Sequence, residues 1–166
     1  DEERVRLGWN ADSSQLPYVM QYEEVPEVCR KLILESDIVI FGGVDDESYI
    51  KGMLGALAKL GSRIVVLTGV SFEKGTNGVM GYHTETGEYF HYTTRHLDAS
   101  YHGTGDIFSS TCVGALMCGM DWKESLKVAA DFTLECIRIT MEAPDGCWYG
   151  VNFETAIPFL LKRIGK

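Results

Sequence analysis

Two short apolar runs rich in branched residues constrain the fold of this chain more than any other feature. They are residues 37–41 (DIVIF) and 63–68 (RIVVLT), and the stretch between them carries apolar side chains at helical spacing. Continuous apolar runs of this length are typical of strands buried on both faces, as in parallel sheets. The strand–helix–strand order therefore predicts an α/β fold with a largely parallel central sheet flanked by helices.

The remaining pattern predicts helices, one hairpin and two irregular stretches. Predicted helices cover residues 24–35, 46–60, 104–118, 123–141 and 153–164. Asp46 is the predicted N-cap of the second helix, and Gly61 and Gly119 are C-terminal caps. Alternating residues 77–82 and 88–92, with the turn Glu85-Thr86-Gly87 between them, predict a β-hairpin. Residues 93–102 and 144–149 are predicted to be irregular. With no repeat or linker in view, we expect one domain over residues 1–166.

Composition and charge exclude several classes of protein. The formal net charge is −9, whereas binding to a phosphate backbone needs clustered lysine and arginine, so no nucleic-acid partner is expected. An acidic chain can still bind ATP through backbone N–H groups at a helix N-terminus and a metal ion. No apolar run reaches 18 residues and no signal-peptide core is present, so we expect no membrane span and a cytoplasmic protein. The chain begins at Asp1, which suggests part of a longer protein.

The five cysteines are predicted to be reduced thiols. They are Cys29, Cys112, Cys118, Cys136 and Cys147, and no pair has C-x-x-C spacing. The first four lie in patterns typical of buried helix faces, so core packing is favoured over a zinc site or a disulfide framework.

The segment that carries chemistry is residues 101–108, YHGTGDIF. Glycine lets backbone N–H groups turn toward a ligand, and the N-terminus of a helix adds unpaired donors and partial positive charge. Together these features predict a pocket for an anion, with Asp106 placed to accept the proton of an attacking hydroxyl group. The structural alternative is that Thr104 is an N-cap and Asp106 an acid favoured by the helix dipole.

The order of these features resembles the C-terminal, nucleotide-binding portion of the ribokinase-like superfamily. Residues 103–106 (GTGD) open a long helix of small and apolar residues, and residues 65–70 (VVLTGV) resemble the strand end whose Thr-Gly lies along the ATP phosphates. The hairpin lies between the two, and the match extends over residues 24–166. Within the superfamily, Thr68-Gly69-Val70 and Asp106-Ile107-Phe108 resemble the bacterial pyridoxal and pyridoxamine kinases.

The resemblance implies a function and a set of site residues. Asp106 would be the base that activates the 5′-hydroxymethyl group of pyridoxal, pyridoxamine or pyridoxine, with ATP, Mg²⁺ and a monovalent cation as cofactors and a homodimer as the full-length state. The other implied roles are an anion hole at Gly103, Thr104 and Gly105, ATP-phosphate contacts at Thr68 and Gly69, and an adenine pocket at Val70, Phe72, Val128 and Phe132. His102 stands next to the anion hole, where a phosphate contact is the less favoured interpretation. Core packing is the alternative for each of the four adenine-pocket candidates.

Three departures from the family pattern leave the metal ligands unknown. The half of the fold that would supply the substrate pocket and lid is absent. Residues 41–47 (FGGVDDE) stand where the family has P-N-x-x-E, whose Glu helps to place Mg²⁺. Asp45, Asp46 or Glu47 could substitute, although a capped helix start is the favoured interpretation. Asp12 only weakly resembles an acid near the metal.

Three other functions stay open at this point. The same chemistry could act on hydroxymethylpyrimidine or a sugar. The chain could be a degenerate nucleotide-binding module that has lost magnesium placement. It could also be a generic α/β domain in which G-T-G-D only caps a helix, because fold alone does not fix function.

Overall fold

The computed structural model describes residues 38–44, 47–143 and 150–166, with the backbone alone given for residues 38–44. The elements in chain order are β1 (Ile38–Val44), α1 (Glu47–Ala58), β2 (Ile64–Val70), β3 (Thr76–His83), β4 (Glu88–Arg95), α2 (Thr104–Met117), α3 (Trp122–Glu142), a 3₁₀ turn (Glu154–Ala156) and α4 (Ile157–Arg163). The predicted helix 24–35, the loop 144–149, and the residues Asp12, Cys29, Asp45, Asp46 and Cys147 lie outside the described residues.

The four strands form one sheet in the order β1-β2-β3-β4. Strands β1 and β2 are parallel, with Ile38 opposite Ile64 and Val44 opposite Val70. The connections from β2 to β3 and from β3 to β4 are short and join neighbouring strands, which makes these two pairs antiparallel. The α/β class is confirmed. A largely parallel central sheet stays a prediction, because β1 and β2 are the parallel pair within the described residues.

The chain divides into two compact units. The first comprises the residues up to 74 together with 79–91, and the second comprises residues 75–78 and 92–166. Both strands of the predicted hairpin run from one unit into the other. The expectation of one domain over the whole chain stays a prediction.

The first unit is built around α1 and β2. Four consecutive residues of β2, 64–67, are buried, as expected for a strand covered on both faces. A single apolar cluster joins Ile50, Leu54, Val65, Leu67, Val70 and Met80. The predicted cap at Gly61 is confirmed, since its φ is 108° and its N–H donates to the carbonyl of Ala58 at 3.1 Å.

The second unit is built around the pair α2 and α3. The Asp121 side chain caps α3 by accepting from the N–H groups of Lys123 and Glu124 at 2.8 and 3.0 Å. On α3, Asp131 accepts from the hydroxyl of Tyr92 at 2.8 Å and pairs with Arg163. Burial, reinforced by this acceptor, raises the pKa of Tyr92 to about 12. These contacts fasten β4 and α4 to the central helix of the unit.

Three local predictions need correction. Strand β4 continues to Arg95, so residues 93–95 are not irregular. The final helix is divided into the 3₁₀ turn Glu154–Ala156 and the helix Ile157–Arg163. Cys118 is exposed rather than buried, whereas Cys112 and Cys136 are buried and free as predicted.

Burial raises the pKa of the Cys112 thiol to about 11 and that of Cys136 to about 12. Both groups are therefore protonated core thiols at neutral pH.

Among the described helices, none is long and apolar enough to span a lipid bilayer.

Candidate active site

The start of helix α2 is shaped by Gly103. This residue is the N-cap, with φ 84° and ψ −2° in the left-handed region. The hydroxyl of Thr104 donates to the carbonyl of Tyr101 at 3.4 Å, and no side chain caps the helix. The interpretation of Thr104 as a simple N-cap is therefore wrong. Glycine is required at position 103 because other residues rarely adopt this conformation.

Three backbone donors are presented at this helix start. The first helical hydrogen bond runs from the N–H of Ile107 to the carbonyl of Gly103 at 2.9 Å. The N–H groups of Thr104, Gly105 and Asp106 precede it and have no acceptor within the helix. A Cβ atom built at Gly103 or Gly105 would meet nothing within 4 Å. The local geometry thus leaves space for an anion at the positive end of the helix dipole.

An open cavity of about 680 Å³ lies at this end of α2. One wall contains His102, Gly103, Asp106 and Ile107, and the facing wall is residues 150–154. Asp106 is exposed and lies in the first turn of the helix. Of the predicted anion-hole residues, Gly103 lines this cavity, and Thr104 and Gly105 are not among its lining residues. The cavity therefore holds a carboxylate, which can accept a proton, at the helix end whose backbone donors can bind an anion.

The facing wall was missed by the sequence-based interpretation. Its anchor is Thr140, whose buried hydroxyl donates to the carbonyl of Cys136 at 2.6 Å and accepts from the N–H of Asn152 at 2.8 Å. The amide oxygen of Asn152 in turn accepts from the N–H and hydroxyl of Thr155 at 3.3 and 2.9 Å. At the other end of the wall, a Cβ at Gly150 would lie 3.4 Å from the carbonyl oxygen of His102.

A local signal for part of this wall exists in the sequence. Asn152 stands one residue before Phe153, the N-cap of the last helical segment, and asparagine is favoured near such a start. The cap predicts a helix start. It does not predict a wall facing Asp106, since that depends on the contact with Thr140.

The remaining predicted nucleotide contacts lie in two places. Thr68, Gly69, Val70 and Phe72 belong to the first unit, where Gly69 has φ 73° and Val70 is fully buried. Phe72 packs edge-on against the ring of His91, with centroids 4.6 Å apart. In the second unit, Val128 and Phe132 on α3 are 2% and 3% exposed. Val70, Val128 and Phe132 are thus buried, as core packing would require. Contact with adenine stays a prediction for all four candidates.

Metal ligands are not assigned to any residue. Within residues 38–44, 47–143 and 150–166 there is no group of three or more His, Cys, Asp or Glu side chains that could hold a metal ion. Glu47, one of the three substitutes considered for the missing motif, pairs with Lys51 at 2.6 Å. Asp45, Asp46 and Asp12 lie outside the described part of the chain. The donor set at α2 fits an anion rather than a cation.

Comparison with known proteins places these features in a family context. The model of the phosphomethylpyrimidine kinase family matches residues 34–149. A protein from Bacteroides thetaiotaomicron described as a phosphomethylpyrimidine kinase is 25% identical, with a TM-score of 0.74 over 92% of this chain and 56% of that one. No curated protein sequence matches the chain.

Two pyridoxal kinases share the fold at lower identity. The enzyme from Lactobacillus plantarum is 21% identical, with a TM-score of 0.71 over 91% of this chain and 58% of that one. The enzyme from Leishmania donovani, solved with ADP and pyridoxamine, is 17% identical, with a TM-score of 0.72 over 91% of this chain and 55% of that one. The chain therefore spans between half and two thirds of the length of these structures.

Proposed function

The chain belongs to the phosphomethylpyrimidine kinase family within the ribokinase-like superfamily, and on that premise we propose that it is the nucleotide-binding part of an ATP-dependent small-molecule kinase. The observation that carries this proposal is the cavity at the start of α2, which Gly103 and Asp106 line at the helix end that presents the first N–H groups. A reaction that transfers a phosphoryl group needs both kinds of group.

The proposed chemistry assigns a separate task to each of them. The N–H groups of Thr104, Gly105 and Asp106 stabilise the negative charge on the transferred phosphoryl group. The Asp106 carboxylate accepts the proton of the substrate hydroxyl. The hydroxyl oxygen bonds to the γ-phosphorus of ATP, and the bond between that phosphorus and the ADP oxygen breaks. Mg²⁺ would neutralise charge on the phosphates.

For the substrate, we propose the 5′-hydroxymethyl group of pyridoxal, pyridoxamine or pyridoxine. In its favour, a second crystal form of the Bacteroides protein, 26% identical, was solved with pyridoxal, and the Leishmania enzyme was solved with pyridoxamine. The matched family, described as phosphomethylpyrimidine kinase, supports a pyrimidine as the second candidate, and we take a hydroxymethylpyrimidine as its acceptor form. Both candidates carry a hydroxymethyl group on a planar heteroaromatic ring, so the same base can accept the hydroxyl proton of either. A sugar substrate, a monovalent cation, a homodimer and a cytoplasmic location stay predictions.

The experiment is a phosphorylation assay of the full-length protein with ATP and Mg²⁺. Pyridoxal, hydroxymethylpyrimidine and ribose are offered separately, and the products are identified by mass spectrometry. We expect kcat/KM to be highest for pyridoxal. A higher value for hydroxymethylpyrimidine or ribose would move the function to that substrate. ATP binding without turnover on any of the three would favour the degenerate nucleotide-binding module.

Gly103 provides a prediction about the anion hole. Replacing Gly103 with Ala forces an L side chain into φ 84°, which costs about 1–2 kcal/mol of local strain. We expect the strain to misdirect the following N–H groups and to lower kcat/KM about tenfold, as measured by the same assay. Gly87→Ala is the matched control, because Gly87 has φ 72°, an equally open Cβ position and a place in the hairpin turn. Equal losses of activity in the two variants would count against an anion hole.

A further inference from the structure

We propose that Thr140 is a positioning residue for the candidate active site. Its side chain is not part of the cavity lining. From helix α3, it binds Asn152 in the wall formed by residues 150–154, which lines the same cavity as Asp106. The inference rests on the proposed function, because it takes this cavity as the site of ATP and the substrate. The width of the cavity would then depend on a hydroxyl group outside its lining.

The Thr140 hydroxyl serves both as a hydrogen-bond donor and as an acceptor. The residue is 2% exposed, and its oxygen donates to Cys136 within the helix and accepts from Asn152 outside it. A threonine that bonds back to the carbonyl four residues earlier gains little for the helix and often bends it. Here the bond to Cys136 uses the hydroxyl proton, which leaves a lone pair directed at the N–H of Asn152. The side chain thus acts as a fixed acceptor for the wall.

The backbone of the wall requires a hydrogen-bond acceptor for Asn152. Residues 151–153 belong to no helix or strand, so the half-buried N–H of Asn152 has no ladder partner and needs another acceptor. Val151 and Ala156 pack in the same cluster as Phe132 and Cys136 of α3. Apolar packing fixes how close the wall lies to the helix, whereas a directional hydrogen bond also fixes its orientation.

The orientation of the wall affects the shape of the cavity that the wall shares with Asp106. Phe153 and Glu154 follow Asn152 directly and line the cavity shared with Asp106. Gly150, at the other end of the wall, lies against the carbonyl of His102, just before Gly103. A rotation of the wall at Asn152 would therefore change the space available to a ligand at the start of α2.

The test compares isosteric variants of the full-length protein. Thr140→Val keeps the shape and removes the acceptor, and Thr140→Ser keeps the hydroxyl. Thr133→Val is the matched control on the same helix, because the buried Thr133 hydroxyl has no partner within the described residues. The measurements are hydrogen exchange at the Asn152 amide, the Kd for ATP, and KM and kcat with pyridoxal.

In Thr140→Val we expect faster hydrogen exchange at the Asn152 amide. We also expect the Kd for ATP or the KM for pyridoxal to rise about tenfold. Thr140→Ser should restore both readouts, and Thr133→Val should change neither. Faster exchange at Asn152 with unchanged Kd, KM and kcat would overturn the inference, as would equal effects of Thr140→Val and Thr133→Val. A wild-type protein that does not bind ATP would refute the proposed function and this inference together, whereas the other outcomes refute the inference alone.

Discussion

Replacement of Asp106 with Asn is expected to lower kcat of the full-length kinase by about 100- to 10,000-fold, the usual contribution of a general base. The amide has nearly the shape of the carboxylate, but it cannot accept a proton at neutral pH. Asp106 is exposed in the cavity and is not a cap of α2, so the fold should tolerate the change. ATP affinity should be retained or rise, because a negative charge beside the phosphates is removed.

The control for this prediction is Asp98→Asn, which removes one carboxylate from an exposed residue that does not line the cavity. Steady-state kinetics and calorimetric ATP titration of the two variants separate catalysis from binding. A kcat for Asp106→Asn within a few-fold of the Asp98→Asn value would mean that Asp106 is not the base.

Replacement of Gly78 with Ala is expected to destabilise the protein by about 3 kcal/mol, toward the upper end of the usual cost of overpacking. A Cβ at this position would overlap the carbonyl oxygen of Tyr92 and lie 3.2 Å from the Cα of Thr93. Both are backbone atoms of β4, so no side-chain rotation can relieve the clash and the two strands must separate. Calorimetry should show a fall in Tm of roughly 6–12 °C.

The matched control is Gly52→Ala on the exposed face of α1. A Cβ there meets nothing within 4 Å, and alanine loses less chain entropy on folding into a helix. This variant should therefore be stabilised by about 0.5–1 kcal/mol. If both variants unfolded at the same temperature, the close approach of β3 and β4 at Gly78 would be contradicted.

The elements that were predictable from sequence are those determined by local chemistry. The apolar run at β2 and the glycines at positions 61 and 87 each act within a few residues. Strand β4 was predicted too short because residues 93–95 (TTR) are polar and carry no apolar alternation. Their extended form is fixed by long-range bonds, from the Thr94 hydroxyl to the Asn77 carbonyl at 3.1 Å and from the His96 N–H to the Gly75 carbonyl at 2.8 Å.

The candidate site divides in the same way. The Gly103–Asp106 wall depends only on residues that are close in sequence, because a left-handed glycine and the first turn of a helix are enough to form it. The facing wall depends on a bond between Thr140 and Asn152, and the sequence between these two residues has no periodic pattern. Such a contact cannot be read from spacing. The adenine candidates Val128 and Phe132 illustrate the reverse problem, since apolar residues at helical spacing are equally consistent with core packing.

The start of α2 is proposed to bind the phosphates of ATP. The most direct test is a titration of the isotope-labelled full-length protein with a non-hydrolysable ATP analogue and Mg²⁺, followed by NMR at the backbone amides. We predict saturable shifts at Thr104, Gly105 and Asp106, with the amide of Gly87 unchanged. Saturable binding that leaves the three amides unmoved, or no binding at all, would contradict the account.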